Sequence, residues 1–161
     1  MEITSKILFL DFDGVLNRIG ITPIGERPIF EPDLILKLNK IVELTNCDIV
    51  ITSMWRTRYT VRSLGRLLSN WGFLYPEKVI GKTPDLTHQE NASKLWKATS
   101  RGAEICSWLA SNNFVGTFAV VDDTADMDGV WSHFVEISGW KGMTDEDIVD
   151  IVSLLHGINA K

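Results

Sequence analysis

The sequence predicts a three-layer α/β/α fold around a mainly parallel sheet, and three observations carry that prediction. Short, nearly continuous apolar runs alternate with segments of helical periodicity. The best of these runs show no polar alternation, as expected of strands covered on both faces. Each of the three strongest runs stops at a cluster of acids or hydroxyls: Asp11 and Asp13, Thr52 and Ser53, Asp122 and Asp123.

The elements follow in order. Lys6-Ile7-Leu8-Phe9-Leu10 reads as the first strand. Pro32 then opens a helix marked by Leu34, Ile35, Leu38, Ile41 and Val42, since proline is favoured in a first helical turn. Asp48-Ile49-Val50-Ile51 is the second strand, followed by a stripe of Val61, Leu64, Leu67, Leu68 and Trp71. Lys78-Val79-Ile80 is a weaker strand, and Ile105, Trp108 and Leu109 mark a third helix. Phe118-Ala119-Val120-Val121 and Phe134-Val135-Glu136-Ile137 complete the sheet. Thr144 and Asp147 have capping-box spacing ahead of Ile148, Ile151, Val152 and Leu155, with Gly157 as the stop. Residues 17–30 hold two prolines and two glycines without a period and read as a loop.

Composition narrows the function. At 161 residues, with 45% hydrophobic and 23% charged residues, the chain reads as one globular domain over residues 1–161. No apolar run approaches the roughly 20 residues of a membrane span, and the N-terminus lacks the layout of a signal peptide, so an intracellular, cytoplasmic setting is expected. A net charge of −5 argues against broad attraction to nucleic acid. Cys47 and Cys106 are too few for a disulfide framework and read as buried thiols.

In a parallel sheet all carboxyl ends face one edge, so the three terminal clusters converge there. Gly14 allows the chain to turn between Asp11 and Asp13 and the residues that follow. Gathered carboxylates repel unless a cation joins them. Hard oxygen donors with no nearby His or Cys suit Mg²⁺ better than zinc.

These residues carry a resemblance. Asp11-Phe12-Asp13-Gly14-Val15-Leu16-Asn17 resembles the first motif of the haloacid dehalogenase (HAD) superfamily. Thr52 resembles the hydroxyl residue of the second motif, Arg101 the basic residue of the third, and Asp122-Asp123 the acidic fourth. The finer pattern of Thr52-Ser53-Met54-Trp55-Arg56, Arg101-Gly102-Ala103-Glu104-Ile105 and Gly142-Met143-Thr144 resembles the HAD phosphatase domains of Swiss Army Knife RNA repair proteins.

The resemblance implies a Rossmann-like core and a phosphomonoesterase working through an aspartyl-phosphate. Asp11 would be the nucleophile and Asp13 the general acid and base, with Thr52 and Arg101 holding and neutralising the phosphate. Mg²⁺ would be held by Asp11, the backbone carbonyl of Asp13, and Asp122 or Asp123. Gly14, Ser53, Arg56 and Lys97 are the further candidates for substrate contact, with Lys97 and Lys94 alternatives to Arg101 as the phosphate-binding cation. Asp126 is a candidate supporting contact.

The intervals between motifs leave space for no large cap, so a capless or minimally capped enzyme is expected. Its substrate would be a phosphorylated small molecule or a nucleic-acid end, with nucleotides or 3′-phosphates favoured by the resemblance. The alternatives are a non-catalytic binding module on the same fold, a phosphotransferase, and a phosphatase for another metabolite or a phosphoprotein. Arg58, Arg62 and Arg66 have the i, i+4, i+8 spacing of one helical face, which reads as a solvated face or, alternatively, as a strip that tracks phosphates beside Arg56. Trp55 reads either as packing or as a surface that could stack on a base, and the other tryptophans read as packing.

Overall fold

The computed structural model describes residues 5–21, 27–87 and 100–158. Five strands form one sheet in which every pairing is parallel: β1 Ser5–Leu10, β2 Asp48–Ile51, β3 Val79–Lys82, β4 Gly116–Asp122 and β5 Phe134–Glu136. Their order across the sheet is β3-β2-β1-β4-β5. The chain builds outward from β1 in one direction, then returns to build outward in the other. The order therefore reverses at β1 and β4, where open α/β sheets place their ligand crevice.

Four helices cover the sheet: α1 Pro32–Thr45, α2 Val61–Ser69, α3 Arg101–Ser111 and α4 Asp145–Leu155. The side chains separate into two cores. Leu8, Leu10, Ile49, Ile51, Ala119 and Val121 face α1, α2 and α4. Ile7, Phe9, Val50 and Val120 face Ile105 of α3, with Met127 and Val130 from the loop after β4. This is the three-layer architecture the sequence predicts. Strand burial on both faces is why the runs read as continuous rather than alternating.

Local signals place the ends. Both hydrogen bonds of the capping box form in α4: the Asp147 amide donates to Thr144 Oγ1 (3.2 Å) and the Thr144 amide to Asp147 Oδ2 (2.8 Å). Gly157, at φ +79°, closes the same helix, and the Ile158 amide reaches back to the Ser153 carbonyl at 2.8 Å. Ser100 caps α3 by accepting from the Ala103 amide at 3.0 Å.

Some expectations are corrected. Helix α2 starts at Val61 behind the N-cap Thr60, so Arg58 precedes it and cannot share its face with Arg62 and Arg66. Of the tryptophans expected to pack, Trp71, Trp131 and Trp140 are exposed, although Trp71 and Trp131 still meet Phe30 and Phe134 edge-on, and Trp96 lies outside the described residues. Cys47 is buried as expected, whereas Cys106 is only half-buried. Between motif positions 52 and 101 the described residues form a 3-10 turn, α2, a second 3-10 turn and β3, all belonging to the core layers. No helix among the described residues is long and apolar enough to cross a membrane.

Candidate active site at the carboxyl edge of the sheet

Strand alternation assembles the site. Side chains two apart on a strand share a face. Counting on from Ile7 and Phe9 brings Asp11 to the α3 face, from Val50 brings Thr52, and from Val120 brings Asp122. The strands continue just far enough for this: the Asp11 amide donates to the Val121 carbonyl (3.1 Å) and the Thr52 amide to the Leu10 carbonyl (2.9 Å). Phe12, wholly buried, turns to the opposite core.

Asp11, Asp122 and Asp123 each offer a carboxylate oxygen within 4.8 Å of the others. Arg101, in the first turn of α3, bridges two of them. Its Nη1 lies 2.9 Å from Asp11 Oδ1 and 2.8 Å from Asp122 Oδ2. Arg101 is held from behind by the loop after β4. The Arg101 amide donates to Asp126 Oδ2 (3.2 Å) and the Gly102 amide to the Asp126 carbonyl (3.0 Å). A Cβ at position 102 would come within 2.3 Å of the Asp128 carbonyl oxygen, so glycine is what lets α3 dock this closely. Asp126 is thus a support for Arg101 through its own main chain and side chain. Lys94 and Lys97 lie outside the described residues.

Burial pushes the Asp11 carboxyl up to about 8, and repulsion from Asp122 adds to it against the opposing pull of Arg101. Asp123 is raised as well, first by burial and then by Asp122. Fully ionised, three carboxylates against one guanidinium would carry a double negative charge, which a proton on Asp11 or a bound cation relieves. The donor set, all carboxylate oxygen, fits a hard divalent cation such as Mg²⁺ and not zinc.

A proton on Asp11 stabilises the fold relative to the unfolded chain, where a carboxyl titrates near its ordinary value of 3.8. That stability is full below about 4 and is lost as pH rises through about 8. The metal-free melting temperature, wild type minus Asp11→Asn, is therefore expected to fall between pH 5 and pH 8.5. Added Mg²⁺, which competes with the proton, should raise the wild-type melting temperature more at pH 8.5 than at pH 5. A difference curve flat in pH would contradict the burial-driven shift.

Thr52 is fully buried, and its Oγ1 alone among the buried side-chain polar atoms of the described residues has no hydrogen-bond partner. A buried hydroxyl without a partner costs about 1–3 kcal/mol, which a bound phosphate oxygen would offset. Ser53 is differently used: its Oγ accepts from the Trp55 amide at 3.3 Å and caps the following 3-10 turn, Met54–Thr57. Of the two hydroxyls, Thr52 is the one on the face of Asp11.

Asp13 is exposed, and its carboxylate accepts from two side chains. Trp55 Nε1 donates to Oδ2 and Asn17 Nδ2 to Oδ1, each at 3.0 Å. Its carboxylate is not part of the three-acid cluster, so any share in metal binding would fall to its main-chain carbonyl. The clamp was not legible beforehand. Asn17 stands four residues on, within reach of a tight turn, but nothing in a linear pattern pairs Asp13 with Trp55.

Two expected substrate contacts are corrected. Gly14 sits at φ +81°, and a Cβ there would meet Asp123 Oδ2 at 2.2 Å. Its amide already donates to Asn17 Oδ1 at 2.9 Å, so its role is clearance for Asp123 rather than contact with phosphate. Arg56 is 1% exposed and turned into the protein. Nε donates to the Thr83 carbonyl (2.9 Å). Nη1 donates to the carbonyls of Thr52 (2.8 Å) and Ser53 (3.2 Å). Nη2 donates to the Pro84 carbonyl (3.1 Å) and to Glu104 Oε2 (2.9 Å). All five guanidinium protons are thereby engaged, and none is left for a ligand. Burial lowers the Arg56 pKa and raises that of Glu104, each against the attraction of the other.

A model of the HAD domain in Swiss Army Knife RNA repair proteins matches residues 7–148. The chain belongs to that family. No curated protein and no solved structure matches it. The HAD domain so identified spans every element from β1 to the start of α4, and the convergence of Asp11, Asp122 and Asp123 at its strand ends is compatible with a phosphatase-like module.

Proposed function

We propose that this HAD domain is a Mg²⁺-dependent phosphomonoesterase acting on nucleotides or nucleic-acid 3′-phosphates through an aspartyl-phosphate. The observation that carries the reading is the convergence of Asp11, Asp122 and Asp123 around Arg101, with the unpartnered Thr52 hydroxyl on the same face.

Asp11 Oδ attacks phosphorus as the bond to the leaving oxygen breaks, and the Asp13 carboxyl gives its proton to that oxygen. Asp13, now a carboxylate, takes a proton from water as the water oxygen attacks phosphorus, releasing inorganic phosphate and the free Asp11 carboxylate. Thr52 donates to a phosphate oxygen throughout. Arg101 offsets the charge spread over the phosphate oxygens in the transition state. Trp55 and Asn17 hold the Asp13 carboxylate in one orientation for both proton transfers. Asp11, the main-chain carbonyl of Asp13, and Asp122 or Asp123 would hold the Mg²⁺, which would supply screening between the anionic phosphate and the anionic nucleophile.

The test is phosphate release from p-nitrophenyl phosphate, mononucleotides, sugar phosphates and oligonucleotides with 3′- or 5′-phosphates. Release is expected with Mg²⁺, is expected to stop on chelation and to return on adding Mg²⁺ back, and is expected to be fastest for a nucleotide or 3′-phosphate. No release from any of these would overturn the phosphatase reading. A best substrate without a nucleoside would overturn its nucleotide half.

A further inference from the structure

Asp13 borders a cavity of about 290 Å³ whose other lining residues are Met54, Trp55, Thr57 and Arg58, with none of the three clustered acids among them. On the phosphatase reading above, Asp13 protonates the leaving oxygen. The group attached to that oxygen must then lie on the side the Asp13 carboxylate faces, and this cavity has that carboxylate in its wall.

The cavity has a defined chemistry. Met54, 49% exposed, and the Trp55 ring provide apolar surface. The Arg58 guanidinium lies over the Trp55 ring, 5.5 Å from its centroid. Among the described residues no carboxylate pairs with Arg58, a condition it shares with Arg62 and Arg66; what sets it apart is its place over the Trp55 ring in the wall that holds Asp13. A cation held on an aromatic face beside the general acid, without an anion of its own, is suited to an anion brought by the ligand.

The turn that presents these groups is fastened on several sides. Arg56 ties it from beneath to the carbonyls of Thr83 and Pro84 and to Glu104. Lys82 Nζ donates to the carbonyls of Arg56 (3.0 Å) and Tyr59 (2.9 Å), closing the turn on both sides of Arg58. The Thr57 hydroxyl donates to the Met54 carbonyl at 2.9 Å. Trp55 is itself fixed to Asp13. A site fixed before binding loses little freedom on binding.

We infer that this cavity is the leaving-group subsite and that it takes a nucleotide carrying a second phosphate, whose phosphodiester meets Arg58 while its sugar and base lie along Met54 and Trp55. A volume near 290 Å³ has room for about one nucleotide. Arg58 is then the residue that separates a 3′-phosphorylated strand from a lone nucleoside 3′-phosphate, since only the strand brings a phosphodiester one link away.

The experiment compares kcat/KM for a 3′-phosphorylated dinucleotide, a nucleoside 3′-phosphate and a sugar bisphosphate at fixed salt, in the wild type, Arg58→Gln and Arg58→Lys. The wild type should favour the dinucleotide over the nucleoside 3′-phosphate by more than about tenfold, one charge-assisted contact. Arg58→Gln should reduce that ratio by about tenfold, and Arg58→Lys should recover part of it. A ratio taken on one preparation is insensitive to the fraction of folded enzyme. An unchanged ratio in Arg58→Gln would overturn the assignment of Arg58. A sugar bisphosphate preferred to the dinucleotide, with the same dependence on Arg58, would overturn the nucleotide occupant. If the wild type releases phosphate from none of the three with Mg²⁺ present, the phosphatase reading fails and the subsite fails with it, a result distinct from turnover without selectivity.

Discussion

Asp11→Asn should lower turnover by at least about 10³-fold while the fold survives. The amide has the shape of the carboxylate, and its carbonyl oxygen can still accept from Arg101, but it lacks the anionic oxygen that attacks phosphorus. The change also removes a charge that burial disfavours, so the variant should melt no lower than the wild type at pH 8.5. Asp13→Asn is expected to fail differently. It can still form the aspartyl-phosphate on a substrate with a good leaving group such as p-nitrophenol, but it cannot activate water. A phosphate adduct should then accumulate and appear in the intact-protein mass. Turnover at the wild-type rate in Asp11→Asn would exclude it as the nucleophile.

The largest stability effect is expected at Arg56. Arg56→Met removes one half of a buried ion pair and leaves Glu104 enclosed without its cation, together with the carbonyls of residues 52, 53, 83 and 84. Breaking a buried pair in this way costs about 3–5 kcal/mol. For a chain of this length that is a fall in melting temperature of roughly 6–20 °C. Replacing both partners, Arg56→Met with Glu104→Leu, should recover part of the loss, because the remaining charge is removed too. Denaturant unfolding of the two single variants and the double variant measures the coupling. A single Arg56→Met variant within about 0.5 kcal/mol of wild type would show that the pair does not hold the turn.

What the sequence discloses and what it hides divide along physical lines. The strands at Ile7–Leu10, Ile49–Ile51 and Phe118–Val121 are legible because burial on both faces leaves continuous apolar runs. The acids that end them are legible because they interrupt those runs. Thr52 rather than Ser53 follows from counting two residues on from Val50, once the sheet shows that the strand geometry persists that far. Arg56 misleads because arginine is rarely buried, and its partner Glu104 lies 48 residues away on another element. Arg58 misleads because its spacing to Arg62 and Arg66 is helical, whereas the Thr60 cap starts the helix only after it. Trp55 holds Asp13 through its indole N–H, a pairing across 42 residues that no local pattern carries.

Asp11, Thr52 and Asp122 each extend the row of side chains that packs against α3. A slip of one residue in β1 would carry Phe12 into the position of Asp11 and bring the whole row of Ile7 and Phe9 to the wrong core. The apolar interior therefore acts as a proofreader for the catalytic layout: a misregistered chain loses its packing and its chemistry together. On the phosphatase reading proposed above, turnover would serve as an assay of strand alignment, reporting on folding fidelity as directly as on the acids themselves.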